Sequence, residues 1–240
     1  MRARPLWVDL ILIALACVIL VSLVSLGNWQ MRRLAWKTDL ITAVETRAFS
    51  DPVAAPTGAV NADEDAYRRV HVTGTFQHDS NIRVKALTDL GGGSWLLTPL
   101  LVDDSVVWVN RGFVPAGTGD EVLTRPTGLL EVTGLLRITE PGGTFLQQND
   151  TDAERWYSRD VAAMSAARGI ENARAYFIDA DHAGAPAAWP RGGLTQLSFR
   201  NTHLSYALTW YAMALLFFGA MVYVIKDRIA PARRDLSPNE

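Results

Sequence analysis

Two long apolar runs, one near each end of the chain, dominate the pattern of hydrophobic and polar positions. Residues 10–26 are apolar except for two serines, and residues 204–225 are apolar except for a serine, a threonine and the tyrosine hydroxyls. A helix of roughly 20 apolar residues spans the hydrocarbon core of a bilayer and satisfies its backbone hydrogen bonds internally. The pattern predicts transmembrane helices over residues 6–27 and 203–226, inserted in a lipid bilayer, with a polar domain over residues 28–202.

The first apolar run also has features of a cleaved signal peptide. Ala14, Leu15 and Ala16 precede Cys17 and resemble a cleavage site or a lipoprotein signal. A cleaved signal gives way to polar chain, whereas this sequence stays apolar through Leu26. The length of the run therefore favours a membrane anchor.

Basic residues near the helix ends predict the orientation of the chain. Those outside the two runs are Arg2, Arg4, Lys226, Arg228, Arg233 and Arg234. Arg32, Arg33 and Lys37 compete with them, but long translocated segments obey the charge bias only weakly. Both termini, including the tail over residues 227–240, are therefore expected in the cytoplasm. The central domain is expected in the periplasm of a bacterium, with the helices in its inner membrane.

Between the apolar runs, short segments alternate apolar and polar residues, as half-buried β-strands do. The strand-like segments are residues 69–76, 81–87, 94–102, 105–114, 129–138 and 173–180. One short helix is predicted over residues 154–169, with Ser158 as its N-cap, Asp160 in its first turn and Gly169 after its end. The predicted fold is an α+β membrane protein in which two transmembrane helices flank a mostly antiparallel, β-barrel-like domain.

Composition narrows the function classes. The 240-residue chain has a net charge of −2, and its basic residues are interspersed with acidic ones, so nucleic acid is not an expected partner. Its single cysteine, Cys17, lies in a predicted membrane helix, so no disulfide stabilises the central domain. About 175 residues are enough for that domain to build its own core.

Motifs for catalysis are absent from the sequence. G-x-S-x-G, H-E-x-x-H and C-x-x-C do not occur, so a membrane-anchored hydrolase has no candidate nucleophile or metal site and the chain is expected not to be an enzyme. Gly91–Gly93 lacks phosphate-loop spacing and is expected in a hairpin loop. Asp179–His182 precedes a turn without calcium-loop spacing, which favours turn capping over metal binding. Gly112 is expected to allow a bend or a close backbone approach.

One histidine stands at the entrance to the second apolar run. His203, Tyr206 and Trp210 are spaced to share a helix face, which Met213 and Phe217 extend. Imidazole is a common metal ligand and the usual proximal ligand of haem iron. An interfacial histidine in an aromatic belt is equally ordinary at a membrane boundary. The residues alone favour the interfacial histidine, because polar residues at helix ends cost little.

The chain resembles the Surf1/Shy1 family through a series of motifs. The stretch LGNWQMRRLAWKTDLI (residues 26–41) is similar to the opening of that family. The segments VTGTF, LLTPL, VNRGFVP, WYSRDVAAM and NTHLSYALTWYA follow in the family's order. The resemblance spans nearly the whole chain, with both apolar runs. It implies an assembly factor for haem-copper terminal oxidases such as cytochrome c oxidase, which receives haem a from haem a synthase and assists its delivery to oxidase subunit I.

The resemblance also implies a site. It makes His203 the expected ligand of the haem iron, reversing the preference given by the residues alone. The candidate cofactor-binding residues are His203, Tyr206, Trp210, Trp29, Gln30 and Arg33. Tyr206 and Trp210 would line the porphyrin, Trp29 would close the other wall, and Gln30 or Arg33 would bond the propionates. The alternative is a scaffold that stabilises oxidase intermediates without touching haem.

Overall fold

The computed structural model describes residues 5–142, 147–185, 187–195, 197 and 201–229. The helices are α1 (Leu6–Ala48), α2 (Ala62–Asp65), α3 (Val161–Ala167) and α4 (His203–Ile229). The strands are β1 (Val53–Ala54), β2 (Arg69–Phe76), β3 (Ile82–Thr88), β4 (Gly91–Val102), β5 (Ser105–Pro115), β6 (Leu130–Ile138) and β7 (Ala173–Ala180). Short 3-10 helices cover His78–Ser80 and Asp120–Val122.

The chain forms two compact units. One comprises Met1–Thr42 and Phe199–Glu240 and contains α4 and most of α1; the other comprises Ala43–Ser198 and contains the strands. The limits of these units follow from how the chain packs on itself. The predicted boundaries at residues 27 and 203 concern where the chain enters and leaves the membrane, and they stay predictions.

Helices α1 and α4 are both long and apolar enough to cross a membrane. Only 6% of the most apolar 18-residue window of each is buried within the protein, so neither is the core helix of a soluble fold. Helix α1 is one continuous helix, joining the apolar run to the amphipathic segment that follows it. The two predicted apolar helices are therefore present as candidate membrane spans.

On each of α1 and α4, one series of shielded residues recurs at alternating intervals of four and three. On α1 within this unit they are Ala16, Leu20, Leu23, Gly27, Gln30, Leu34, Lys37 and Ile41. On α4 they are His203, Ala207, Trp210, Ala214, Phe217 and Met221. This spacing defines a seam of the kind that packs helices at a small crossing angle. Contacts of Gly27 with Tyr211 and of Gln30 with His203 show that the helices run antiparallel.

The central unit is built on a closed five-stranded barrel. Its strand order is β2-β6-β7-β5-β4, and β4 returns to pair with β2. All pairings in the barrel are antiparallel except the parallel pair β5–β7. Since β2, β4 and β5 form a meander and β6 lies beside β2, the connectivity is a Greek key. Strand β3 extends β4 outside the barrel, and the short β1 pairs in parallel with β2.

Two apolar clusters pack on opposite faces of the sheet, because successive strand residues point to opposite sides. One contains Val107 and Val109 of β5 with Tyr176 and Ile178 of β7. The other packs α3 against the opposite face and includes Trp108 and Phe177 from the same strands, with Met164 from the helix. The predicted mostly antiparallel barrel with one short helix of more than a single turn is confirmed.

The short helix predicted within residues 154–169 is present, but its predicted N-cap is wrong. Helix α3 begins at Val161, and its N-cap is Asp160, whose side chain accepts hydrogen bonds from Ala162 N and Ala163 N. Ser158 lies two residues earlier, and its hydroxyl accepts a 2.9 Å hydrogen bond from Asn149 Nδ2. The Ser158 side chain is thus bonded to Asn149 rather than to the start of the helix.

The glycine run was also placed incorrectly. Gly91–Gly93 open β4 and pair with the end of β3, while Asp89 and Leu90 form the connecting turn. The prediction for Gly112 is confirmed. Its φ is +128°, and a Cβ there would lie 2.1 Å from the backbone of Arg191, so only glycine fits this approach.

Candidate functional site

His203 and Gln30 form a polar pair on the seam of the helix pair. The His203 Nδ1 atom lies 2.8 Å from Gln30 Oε1, and Gln30 is only 9% exposed although it lies in a largely apolar helix. An amide oxygen only accepts hydrogen bonds, so Nδ1 carries the proton in this pairing. The pair therefore selects the histidine tautomer with a lone pair on Nε2.

The Nε2 atom of His203 has no hydrogen-bond partner among the residues that the structure describes, and the histidine is half-buried. A histidine that ligates a metal usually donates its other ring N–H to a carbonyl or carboxylate, which fixes the ring and raises its basicity. Gln30 fulfils that role here, so the pair has the arrangement of a metal-ligating histidine with its supporting acceptor.

The position of this pair is fixed by a second contact one turn away. Gly27 packs against Tyr211, since a Cβ at Gly27 would lie 2.5 Å from the tyrosine ring. The Tyr211 hydroxyl donates a 2.8 Å hydrogen bond to Asn28 Oδ1. Glycine at a helix crossing lets the partner side chain approach the backbone. These two contacts hold Tyr211 across α1. They set the register of the two helices in which Gln30 lies beside His203.

The other aromatic candidates have different positions relative to the seam. Trp210 is half-buried on the seam itself, two helical turns, or about 10 Å, from His203. Tyr206 flanks the seam and is 56% exposed. Trp29 is 52% exposed and precedes the buried Gln30, which places it outside the seam. Only Trp210 therefore shares the shielded face of His203, and Tyr206 and Trp29 present their rings to the surroundings.

Arg33 is exposed and already has an aromatic neighbour. Its guanidinium carbon lies 4.0 Å from the centroid of the Trp36 ring, within cation–π range. Arg33 and Trp36 are three residues apart and so share a face of α1. The structure does not test whether Arg33 binds a propionate. It shows that the arginine is held by its own helix rather than by the seam.

Acidic residues near the barrel do not form a metal site. No group of three or more histidine, cysteine, aspartate or glutamate side chains is placed to hold a metal ion within the described ranges. Asp179, 5% exposed, accepts hydrogen bonds from Arg137 and Asn110, and Asp181 accepts one from Arg69. Arginine and amide donors thus use these carboxylate oxygens, and the bonds join neighbouring strands rather than cap the turn that follows.

The segment RWYSRD (residues 155–160) contributes to the packing and the ion pairs of the central unit. Trp156 is buried in the second apolar cluster, and Arg159 donates to both oxygens of Glu140. Arg159 also lies 3.4 Å from Asp179. The ion pairs hold the chain that leads into α3, so this segment carries no free charged group toward a ligand.

Sequence reasoning missed the partner of His203. Gln30 was assigned to a propionate, and neither Tyr211 nor Asn28 was singled out. One signal was available, because an amide side chain within a long apolar helix is costly unless it finds a partner. The sequence could not say which residue that partner is, since His203 lies 173 positions away.

Comparisons with known proteins agree with this architecture. The sequence model of the SURF1 family matches residues 17–215, which include the barrel, most of α1 and the first half of α4. Surfeit locus protein 1 of Homo sapiens is 32% identical over 216 residues, covering 81% of this chain and 71% of its own length. The Xenopus tropicalis protein of the same name is 32% identical over 227 residues, with 85% and 73% covered.

A third relative covers more of its own length. The SURF1-like protein of Monosiga brevicollis is 32% identical over 217 residues, which are 83% of this chain and 82% of that protein. The region matched by the family model contains the Gln30–His203 pair, the barrel strands and α3. This chain therefore belongs to the SURF1 family.

Proposed function

We propose that this protein is a membrane-anchored assembly factor for a haem-copper terminal oxidase such as cytochrome c oxidase. It binds haem a through His203 and assists delivery of the haem to oxidase subunit I. Family membership and the resemblance of the terminal motifs support the assembly role. The pairing of His203 Nδ1 with Gln30 Oε1 at 2.8 Å is the observation that carries the haem-binding role, because it leaves Nε2 available for iron.

The residues around His203 fit a haem group. Imidazole nitrogen is an ordinary axial donor, and apolar and aromatic surface suits a porphyrin. Trp210 lies on the same shielded face, and Tyr206 is exposed three residues from His203. The two remaining candidates, Trp29 and Arg33, are exposed on α1. When bound, the haem supplies an iron centre that takes an axial ligand.

What the chain itself contributes is orientation and moderate affinity. Gln30 holds the His203 ring in one tautomer, and the seam holds both residues on antiparallel helices. A delivery protein must release its cargo, so one histidine on a partly exposed helix face suits it better than an enclosed pocket. The proposal assigns to the chain no step that makes or breaks a bond in a substrate. The protein is therefore proposed not to be an enzyme.

The proposed setting is the inner membrane of a bacterium, with haem a synthase and oxidase subunit I as partners. The antiparallel course of α1 and α4 supports a topology in which both chain ends lie on the same side of the bilayer. The basic residues outside the apolar runs favour the cytoplasm for that side, and hence the periplasm for the barrel. Alkaline phosphatase fused within the turn at residues 89–90 should be active, and fused at the C-terminus inactive; the opposite pattern would reverse the topology.

The test of haem binding uses the full-length protein, co-produced with a haem a synthesis system and purified in nanodiscs. His203→Ala should remove or shift the Soret and alpha bands. Gln30→Leu should weaken haem retention about 10- to 100-fold, as loss of a supporting acceptor does. Tyr211→Phe is the matched control, because it removes the hydrogen bond to Asn28 but keeps the ring that packs on Gly27 and sets the register of His203 and Gln30.

Identical spectra for the wild type and His203→Ala would remove His203 from the role of ligand. If no variant holds haem, yet deleting the gene still lowers oxidase content and expression of His203→Ala restores it, the protein is a scaffold for oxidase intermediates. If His203→Ala is folded but fails to restore oxidase content, the haem-binding role is supported in the cell as well as in the nanodisc.

A further inference from the structure

Arg111 is a buried arginine that the proposed function does not use. In the pairing of β4 with β5, Asn110 is opposite Leu97 and Gly112 is opposite Leu96, so Arg111 is the extra residue of a β-bulge. A bulge interrupts the alternation of a strand and re-aims one side chain. Arg111 is only 8% exposed, which is unusual for an arginine without a carboxylate partner.

The bulge is held rigidly on both sides. Asn110 Oδ1 accepts a 3.1 Å hydrogen bond from Gly112 N, and Asn110 Nδ2 donates a 2.8 Å bond to Asp179. Beyond the bulge, Phe113 and Arg191 exchange two backbone hydrogen bonds of 2.9 Å. The backbone that carries Arg111 is therefore fixed by contacts that do not involve its guanidinium.

The guanidinium is bonded only to neutral acceptors. It donates to Thr124 O at 2.6 Å and Thr124 Oγ1 at 3.3 Å, and it lies 3.4 Å from His78 Nδ1. Its carbon is 5.1 Å from the centroid of the Phe76 ring. Within the described part of the chain, no carboxylate forms an ion pair with it.

The surroundings of Arg111 are short of negative charge. Burial, and then the positive charge of Arg125, lower the pKa of Arg111 to about 10. Burial also lowers the pKa of His78, with Arg111 and Arg125 adding to that effect. His78 Nε2 lies 2.8 Å from Pro126 O, so Nε2 donates and Nδ1 accepts from Arg111 in the neutral ring. The barrel thus buries a cation without its counter-ion, which costs stability unless an anion binds.

A cavity of about 360 Å³ opens beside this cation. Arg111 and Thr124 line one part of it, and most of the remaining surface is apolar, including Phe76, Leu130 and Val132. Cavities of this size with a few polar groups on an apolar wall are typical of small-ligand sites. An arginine at the wall suits a planar anion, because its fork of N–H donors matches a carboxylate.

Two acidic residues on the cavity wall restrict the charge of the ligand. Asp181 is neutralised by its ion pair with Arg69, and Glu131 lies 3.6 Å from His71 Nδ1 and is largely exposed. A dianion such as phosphate would be repelled by Glu131 and would be attracted by one arginine that has no other counter-charge. A monoanion balances that arginine and meets less repulsion.

We propose that the cavity beside Arg111 binds a carboxylate carried on an apolar body. The carboxylate pairs with the guanidinium and the apolar body contacts Phe76, Leu130 and Val132. The same chemistry is presented by a small organic acid and by an acidic side chain of a polypeptide partner. This site lies in the barrel and requires neither haem nor His203.

The test uses the full-length protein in nanodiscs of neutral lipid and the probe 4,4,4-trifluorobutyrate, followed by ¹⁹F NMR. Saturable binding is expected, and empty nanodiscs give the baseline. Arg111→Gln should weaken binding about tenfold or more, the usual loss when a charged hydrogen bond is removed. Arg83→Gln is the matched control, since Arg83 is a half-buried arginine already paired with Asp120.

A second comparison needs no variant. The neutral analogue 4,4,4-trifluorobutanol should bind the wild type at least about tenfold more weakly than the carboxylate, because only the carboxylate balances the buried cation. Equal binding of the alcohol and the acid, no saturable binding of the acid, or unchanged binding by a folded Arg111→Gln variant would each overturn the site. Competition by inorganic phosphate that exceeds competition by isobutyrate would overturn the assignment to a carboxylate.

Competition also distinguishes the two sources of the carboxylate. N-acetyl-glutamate amide carries the acidic side chain in a peptide context, whereas isobutyrate is a small free acid. Stronger competition by the glutamate derivative supports a polypeptide partner as the natural source of the carboxylate. Stronger competition by isobutyrate supports a small organic acid at the same site.

Discussion

In the helix pair, polar side chains meet one to one, as Gln30 does with His203, whereas the barrel gathers buried charges into a network around Asp179. The helices satisfy their backbone groups internally, so their few side-chain bonds are free to set register and hold a ligand. The barrel depends on pairing between distant strands, and its buried charges join those strands. Loss of a polar group should therefore change function in the helix pair and stability in the barrel.

The largest effect is expected from deleting a core side chain of the barrel. Trp108 is fully buried and donates a 2.9 Å hydrogen bond to Ser165 Oγ. Trp108→Ala should lower the free energy of unfolding of the barrel by about 5 kcal/mol, because it leaves a large cavity and an unsatisfied hydroxyl. Hydrogen exchange in nanodiscs should show loss of protection in the strands.

The same exchange measurement tests whether the two units unfold separately. Amides of α4 and of residues 7–42 should keep their protection in Trp108→Ala, since their hydrogen bonds are local. Trp7→Ala, at an exposed position on α1, is the control and should leave the barrel unchanged. Simultaneous loss of protection in the helices and strands would show that the units are one cooperative body.

The next effect concerns the charge network. Asp179 accepts hydrogen bonds from Arg137 at 2.7 Å and Arg159 at 3.4 Å. Removing Asp179 takes this carboxylate partner away from both largely buried arginines. Asp179→Ala should cost about 3 kcal/mol or more. Asp120→Ala removes the partner of Arg83 at a more exposed position and should cost at most about 1 kcal/mol. Equal costs in urea titrations would contradict the structural role of the network.

A smaller effect separates two glycines of the helix pair. A Cβ at Gly27 would lie 2.5 Å from the Tyr211 ring, whereas nothing lies within 4 Å of the Cβ position at Gly219. Gly27→Ala should therefore destabilise the pair by about 1–3 kcal/mol through overpacking. Gly219→Ala should be neutral or stabilise by up to about 1 kcal/mol through helix propensity. Unfolding of the helices in increasing SDS, followed by circular dichroism, should give shifts of opposite sign.

The smallest effect is a pH dependence of the barrel. Burial lowers the pKa of His78 below 6.5, so the unfolded chain takes up a proton before the folded chain does. Stability should be constant above about pH 7 and fall as the pH decreases through 6.5. His78→Gln should flatten that slope, while His182→Gln, at an exposed histidine, should not. An unchanged slope in His78→Gln would exclude this histidine as its cause.

Particular residues show why the fold was partly predictable. The strands Arg69–Phe76 and Ala173–Ala180 were predicted with their observed limits. A half-buried strand has alternating apolar and polar residues, and this alternation is visible in the sequence. The N-cap of the short helix was predicted two residues too early, because the Ser158 hydroxyl bonds to Asn149 Nδ2 while Asp160 caps the helix. Local pattern records burial and periodicity, whereas such a pairing depends on where the rest of the chain lies.

The candidate functional residues likewise include some that the sequence indicated and others that only the structure identified. His203 could be singled out because an imidazole at the end of an apolar run is conspicuous, and its membership of a helix face follows from spacing. The buried, unpaired state of Arg111 could not be predicted, because a lone arginine in VNRGFVP reads as an ordinary strand residue. Only the bulge and the closure of the barrel bury its guanidinium where no carboxylate of the described residues pairs with it.

The sequence by itself determined the two apolar helices, the strand-rich domain between them and its mostly antiparallel character. These follow from the length and the period of apolar residues, which are local properties. Only the tertiary structure decided which polar groups meet: Gln30 with His203 across the antiparallel helices, and Arg111 with no carboxylate at all. Contacts between residues far apart in sequence depend on register and strand order, and no local pattern specifies either.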